Sequence, residues 1–320
     1  MKNYMKKLTL LCIFGWAVTG FLSAQASPTS LTVYTLNGPS GVGMVRFFDN
    51  PPRASGFDIK TEVLADASLM AALFTSGQAK VGILPPNAAA KIASSGKNIQ
   101  TAAVLGTGML SLLSSDPAVQ RIEDLKGKTV EVAGQGATPD YVFRRILSRH
   151  GLKPDTDVAL NYANLPPSIV QLLITGRVSY ALLPEPFATM ARSGNANIKV
   201  VSNIQDEWIR AGGGENYPMT VLVVDSVFAA SQPAVLRAIL DAVKASVEWV
   251  IANPAAAGPL VEKYLGLRAQ VISAAIPRSN YVYIPAAQAR PALESLFRAF
   301  LEFDPVSIGG SLPKDNFYLK

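Results

Sequence analysis

The 320-residue sequence predicts an α/β protein of two lobes with a ligand cleft between them. Three observations carry that expectation. Short apolar runs alternate with amphipathic ones, the pattern of strands followed by helices. One supersecondary phrase is repeated at an offset of 99 residues, where Leu73, Gly77, Leu84, Pro85, Ala89 and Ser94 match Leu172, Gly176, Leu183, Pro184, Ala188 and Ser193. Two glycine-rich interruptions, Gly106-Thr107-Gly108 and Gly212-Gly213-Gly214, stand where the chain would cross from one lobe to the other and back.

The N-terminus carries Lys2, Lys6 and Lys7, an apolar run from Leu8 to Leu22, and then Ser23-Ala24-Gln25-Ala26. This is the layout of a cleaved secretory signal peptide over residues 1–26. The apolar run is shorter than the roughly 20 residues that a membrane-spanning helix needs. Removing the segment takes three lysines and no acid, so the formal charge of +6 falls to +3. No basic stripe is left for a nucleic acid. Cys12 goes with it, leaving no thiol for a disulfide, a nucleophile or a metal. Export without an anchor points to a periplasm.

Leu31 to Leu36 alternates and is rich in β-branched residues, so it reads as a strand. It runs into the loop Asn37-Gly38-Pro39-Ser40-Gly41-Val42-Gly43, ahead of a helix through Phe48. Strand 57–64, helix 69–75 and the first copy of the repeat, Ile83-Leu84-Pro85-Pro86-Asn87-Ala88, follow, and strand 100–105 leads to the first crossover. The second lobe opens with a turn at 122–128 and strand 129–133. Next comes Gly134-Gln135-Gly136-Ala137 and a helix to His150, with Thr138 as N-cap, Pro139 as first helical residue and Gly151 as stop. Strand 158–162, helix 168–175 and the second copy, Leu182-Leu183-Pro184-Glu185-Pro186-Phe187, continue the alternation with mostly parallel strands. Strand 198–202, a polar helix holding Trp208, and Tyr217-Pro218 lead into strand 219–224. Beyond that the chain reads as helical, from a helix capped by Ser231 to helices near 256–264, 268–275 and 286–302. The expected division is lobe I at 27–107 plus 219–320 and lobe II at 108–218.

In parallel α/β lobes ligands bind at the carboxyl ends of strands. The expected contacts are therefore Asn37, Gly38, Ser40, Gly41, Pro86, Asn87, Thr107, Gly134, Gln135, Gly136, Thr138 and Glu185, with Tyr34, Trp208 and Tyr217 as possible stacking partners. Glycine-rich turns let backbone N–H groups approach a polar or anionic atom. The Gly134-Gln135-Gly136 loop is no dinucleotide fingerprint, because Pro139 takes the place of its third glycine. Glu185 suits an amine donor, a bridge to the other lobe, or a plain helix-start carboxylate. Those loops hold no Arg or Lys, which argues against a strongly charged sulfonate or nitrate.

Catalysis is not expected. His150 is the sole histidine and sits at the far end of its helix, and Gly38-Pro39-Ser40-Gly41 misses the G-x-S-x-G spacing. No metal site and no cofactor are expected.

The stretches DLKGKTVEVAGQGATPDYVFRRILSRHGL, LLPEPFATMA and VEWVIANPAAAGPLVEKYLG resemble the exported solute-binding proteins of ABC importers for nitrate, sulfonates, taurine and thiamine pyrimidine precursors. The likeness covers essentially all of residues 31–303. It implies a type II-like periplasmic-binding-protein fold, a monomer that captures a small-molecule solute, and an ABC permease and ATPase as partners. A yeast-type pyrimidine synthase shares this general fold, but looks to depend on histidine chemistry that His150 alone does not supply. The rival class is a secreted signalling or adhesion module on the same fold.

Overall fold

The computed structural model describes residues 28–65 and 67–320, and the expected signal peptide lies outside the described residues. The chain begins with β1 (Thr29–Leu36), α1 (Pro39–Gly43), α2 (Val45–Asp49), β2 (Phe57–Leu64), α3 (Ala67–Thr75), β3 (Val81–Leu84), α4 (Pro86–Ser94) and β4 (Ile99–Thr107). It then enters a second sheet through β5 (Leu110–Ser114), β6 (Thr129–Val132), α5 (Thr138–Arg149), β7 (Ala159–Asn161), α6 (Pro166–Ile174), β8 (Tyr180–Pro184), α7 (Phe187–Gly194), β9 (Lys199–Asn203) and α8 (Ile204–Arg210). It returns by β10 (Pro218–Asp225), α9 (Ser226–Ser231), α10 (Pro233–Ala252), α11 (Pro254–Leu265), α12 (Ala269–Ala275), β11 (Tyr281–Pro285) and α13 (Ala286–Phe303).

The first sheet has the order β11-β4-β10-β3-β1-β2 and the second β7-β6-β8-β5-β9. The fold is thus a two-lobed α/β one. The repeat is structural: α3 and α6 start and end 99 residues apart, and β3 and β8 stand inside their respective sheets. One apolar core joins the first sheet to the crossover side of the second, from Val221 and Leu222 through Leu110 and Leu112 to Trp208 and Tyr217. A smaller one, with Leu113, Leu173, Leu183 and Phe187, lies under α6 and α7.

Four expectations are corrected. Strands are not mostly parallel: β10 is antiparallel to β3 and β4, β11 to β4, and β5 to β8 and β9. A strand entering a sheet from the other lobe starts at the edge where its neighbours end, so β5 and β10 must run against them. The stretch expected as a loop through Gly43 holds a short helix, α1, separated from α2 at Met44. The Ser246 hydroxyl of α10 accepts from Phe47 N at 3.1 Å and donates to Gly43 O at 2.9 Å, inserting itself into the i to i−4 ladder. A strand, β11, interrupts the C-terminal region read as helical; its Tyr-Val-Tyr-Ile run has the aromatic and β-branched residues that suit a pleated surface. Ser231 ends α9 and caps nothing, while Asp225 caps that helix through Phe228 N at 2.7 Å.

Candidate functional site

The loops that matter leave the carboxyl ends of inner strands. In the first lobe, β1 pairs β3 with Val33 opposite Val81 and Tyr34 opposite Gly82, so Thr35 and the Asn37–Gly41 loop lie beside Pro85-Pro86-Asn87. In the second, β6 pairs β8 with Val132 opposite Leu182, which brings Gly134–Gly136 beside Glu185-Pro186-Phe187.

These two pairs of loops face each other and touch. Asn87 Nδ2 donates to Gly136 O at 2.9 Å, joining α4 of one lobe to the glycine loop of the other. Gly38, at φ 109°, lies against the ring of Phe187, with 3.7 Å between the Cε2 atom and the place a Cβ would take. From a third direction comes Tyr281 of β11, whose ring flanks Gly43 and whose hydroxyl feels the Glu185 charge.

Buried polar groups are nearly always hydrogen-bonded. Yet among the described residues Thr35 Oγ1, Asn87 Oδ1, Thr138 Oγ1, Thr189 Oγ1 and Tyr281 OH are buried without a partner. These five stand on elements that meet between the lobes, while six more among the described residues, Trp208 Nε1 and Tyr217 OH included, are buried without a partner elsewhere. The N-cap expectation for Thr138 is corrected here: α5 starts at Thr138, the N-cap position is Ala137, and the Thr138 hydroxyl is left over.

The glycine loop is held by Asp140. Its Oδ2 accepts from Gly136 N at 2.9 Å, while its Oδ1 accepts from Arg144 Nε and from the Tyr162 hydroxyl, both at 2.6 Å. Gly134 and Gly136 take φ values of 87° and 68°, the left-handed region that glycine enters without penalty. Gln135 is exposed at the rim, in a groove of about 500 Å³ shared with Phe303 and Asp304. There Tyr141 OH donates to Asp304 Oδ2 at 2.8 Å, and burial together with that carboxylate pushes the tyrosine up to about 12.

Glu185 is 4% exposed and its Oε2 accepts from Thr189 N at 3.1 Å, so it does serve the start of α7. The second copy of the repeat begins its helix at Phe187, two residues later than the first copy's Pro86 would place it, and this delay frees Glu185 to reach back. Burial raises its carboxyl above the usual carboxylate range, with Thr189 pulling the other way and Arg278 and Arg192 helping.

Several expected contacts lie elsewhere. Thr107 sits in the crossover, where its hydroxyl accepts from Asn216 Nδ2 at 2.7 Å. Asn216 Oδ1 in turn accepts from Gly108 N and Tyr217 N, each at 2.8 Å, and Asn280 Nδ2 donates to Gly108 O. Trp208 and Tyr217 are fully enclosed there, stacked edge to face with centroids 5.5 Å apart, and Arg145 lies over the indole. They are core rather than stacking surfaces. Tyr34 packs on the face of the first sheet covered by α3, since a Cβ on its neighbour Gly82 would meet Met70, Phe74 and Tyr34 together. Gly41 is required by packing, because a Cβ there would stand 2.9 Å from Leu36 O and 3.0 Å from Leu265. Asn37 is exposed, while Gly38, Ser40, Pro86, Asn87, Gly136, Thr138 and Glu185 are buried or half-buried at the meeting of the lobes.

Thr35, Thr189 and Tyr281 were missed by the sequence reading. The first two flank the loops that it singled out, so the signal was a hydroxyl one step beyond each loop. Tyr281 had none, because its strand was not foreseen.

The family model described as NMT1/THI5 like matches residues 53–257. The chain belongs to the NMT1/THI5-like family. Several solved structures share the fold. An ABC transporter protein from Parabacteroides distasonis is 25% identical with a TM-score of 0.75, over 91% of this chain and 99% of that one. The periplasmic aliphatic sulphonate-binding protein SsuA from Escherichia coli is 17% identical with a TM-score of 0.71, over 88% and 96%. The periplasmic nitrate-binding protein NrtA from Synechocystis PCC 6803 is 11% identical with a TM-score of 0.58, over 76% and 69%. Comparison with the curated proteins finds no match. Among the described residues of this NMT1/THI5-like chain no helix is long and apolar enough to cross a membrane.

Proposed function

We propose that the chain is an exported, periplasmic solute-binding protein that encloses a small polar solute between its lobes and presents it to the permease and ATPase of an ABC importer. The observation that carries this is the facing of two strand-end loop pairs, joined by Asn87 and Gly136 and lined by five unpartnered buried polar atoms. Such a site binds by satisfying groups that are otherwise left dry. The proposed lobes are 27–107 with 219–320, and 108–218, moving as two bodies about the crossovers at Thr107–Gly108 and Asn216–Pro218. A ligand that touches both biases the closed arrangement. The protein acts as a monomer and as a binder, with no chemical step assigned to any of its residues.

Native mass spectrometry of the purified mature chain tests this, followed by small-angle scattering before and after the bound solute is removed. The expected result is one retained small molecule per chain and a larger radius of gyration without it. A chain that carries and binds no small molecule, and keeps one scattering profile throughout, refutes the proposal.

A further inference from the structure

Resting on the solute-binding reading above, we infer that the cleft selects a ligand presenting two or more N–H donors, of the amidine or guanidine class, and discriminates against sulfonate and nitrate oxyanions. Polarity at the meeting of the lobes is the basis. Four of the five unpartnered atoms are hydroxyls, which rotate to donate or accept and so impose nothing. The groups of fixed polarity are the informative ones. One of the two N–H groups of Asn87 Nδ2 is taken by Gly136 O, and the Asn87 atom left buried with no partner at all is Oδ1, an acceptor. Glu185 only accepts once it is ionised, above the pKa that burial has raised, and Thr189 N fills one of its roughly four acceptor positions.

The rival, an oxyanion, would ordinarily be drawn to helix N-termini and their free N–H groups. Here the chain sets its own carboxylates at two of those helix starts, each accepting from one N–H group. Asp140 takes Gly136 N ahead of α5, and Glu185 takes Thr189 N in the first turn of α7. Pro86 and Pro139 remove two further donors from the first turns of α4 and α5. None of the loops Asn37–Gly41, Pro85–Asn87, Gly134–Thr138 and Glu185–Phe187 contains an Arg, Lys or His. Arg278 and Arg192 act on Glu185 from outside them. With Asp140 paired to Arg144, an oxyanion would meet the Glu185 carboxylate and an amide oxygen, whereas N–H donors would meet their complements.

The experiment is calorimetric titration of the mature chain, freed of bound solute, with agmatine, benzamidine and aminoguanidine in one set and propanesulfonate and nitrate in the other. Asn87→Ala and Glu185→Gln variants are titrated in parallel, and melting temperatures are recorded. Saturable 1:1 binding within the first set alone, weakened about 10- to 100-fold in each variant with no fall in melting temperature, is the expected result; losing one hydrogen-bond partner in a buried site has that size of effect. Saturable binding of propanesulfonate or nitrate overturns the ligand class and leaves the solute-binding reading standing. Absence of binding by every member of both sets overturns the ligand class, and the solute-binding reading falls with it only where native mass spectrometry also finds no retained small molecule. A purely structural role for Glu185 would lower the melting temperature of Glu185→Gln without changing its affinity relative to the wild type.

Discussion

Replacing Gly108 with Ala puts one methyl group into the tightest part of the crossover. Its Cβ would stand 1.8 Å from Gln205 Oε1 and 2.8 Å from Asn216 Oδ1, both inside contact distance. Gln205 must swing away and lose its bond to Glu215 O, which is 2.6 Å long. That loss is worth about 0.5–1.5 kcal/mol. If Asn216 shifts too, the N–H groups of Gly108 and Tyr217 lose the oxygen they share. Each then costs about 1–3 kcal/mol as a half-buried donor without a partner. Part of this is avoided by relaxation, so the net destabilisation is about 2–5 kcal/mol. For a chain of this size that lowers the melting temperature by roughly 5–15 °C. Differential scanning calorimetry of the mature wild type and variant reads it directly. Gln205→Ala makes room for the methyl, so in that background Gly108→Ala costs less than half as much, a coupling expected of groups in contact. A Gly108→Ala melting point within 1 °C of the wild type, or equal costs in both backgrounds, refutes the account of a crossover packed to its limit.

Three further outcomes are expected. Glu185→Gln raises the melting temperature at pH 7 and leaves it unchanged below about pH 4: the folded pKa is raised above the unfolded one by burial, so the native state holds the extra proton and stability falls as pH rises through that window, a slope the glutamine removes. His150→Gln follows the same sign of linkage, but its difference from the wild type is read at acid pH. Burial alone lowers the histidine pKa, but the hydrogen bonds to Glu123 at 2.8 Å and Glu207 at 2.9 Å outweigh it and the net shift is upward. Its contribution is complete below about pH 6.5 and is lost as pH rises through the folded value, so urea midpoints of wild type and variant differ at pH 5.5 and converge at alkaline pH. Trp208→Ala removes a fully buried ring packed on Tyr217 and under Arg145, and costs about 3–5 kcal/mol by denaturant titration with the two-sheet fold retained by circular dichroism.

Much of the molecule was legible before its structure. The α/β alternation, the repeat at 99 residues, the strand-end loops and the glycine-marked passages between the sheets all rest on local signals: Gly and Pro punctuation, and periodicity over a single element. Those are properties of neighbours in the chain, so the sequence alone suffices for them. It also singled out Asn87 and Glu185, because two copies of one phrase differ there.

What only tertiary structure decided depends on partners far away in the chain. α1 and α2 part at Met44 because Ser246, about 200 residues on, inserts its hydroxyl. The directions of β5 and β10 follow from which sheet each strand enters. Thr107, Trp208 and Tyr217 looked like binding residues and proved to be crossover packing, since a hydroxyl or a ring states what it is able to bond and not what stands opposite it. Thr35 and Tyr281 join the cleft for the same reason in reverse. The bond from Asn87 to Gly136 spans 49 residues and two lobes. Composition shows that an amide and a carbonyl exist, while only the packed chain decides that one meets the other and leaves an oxygen buried without a partner.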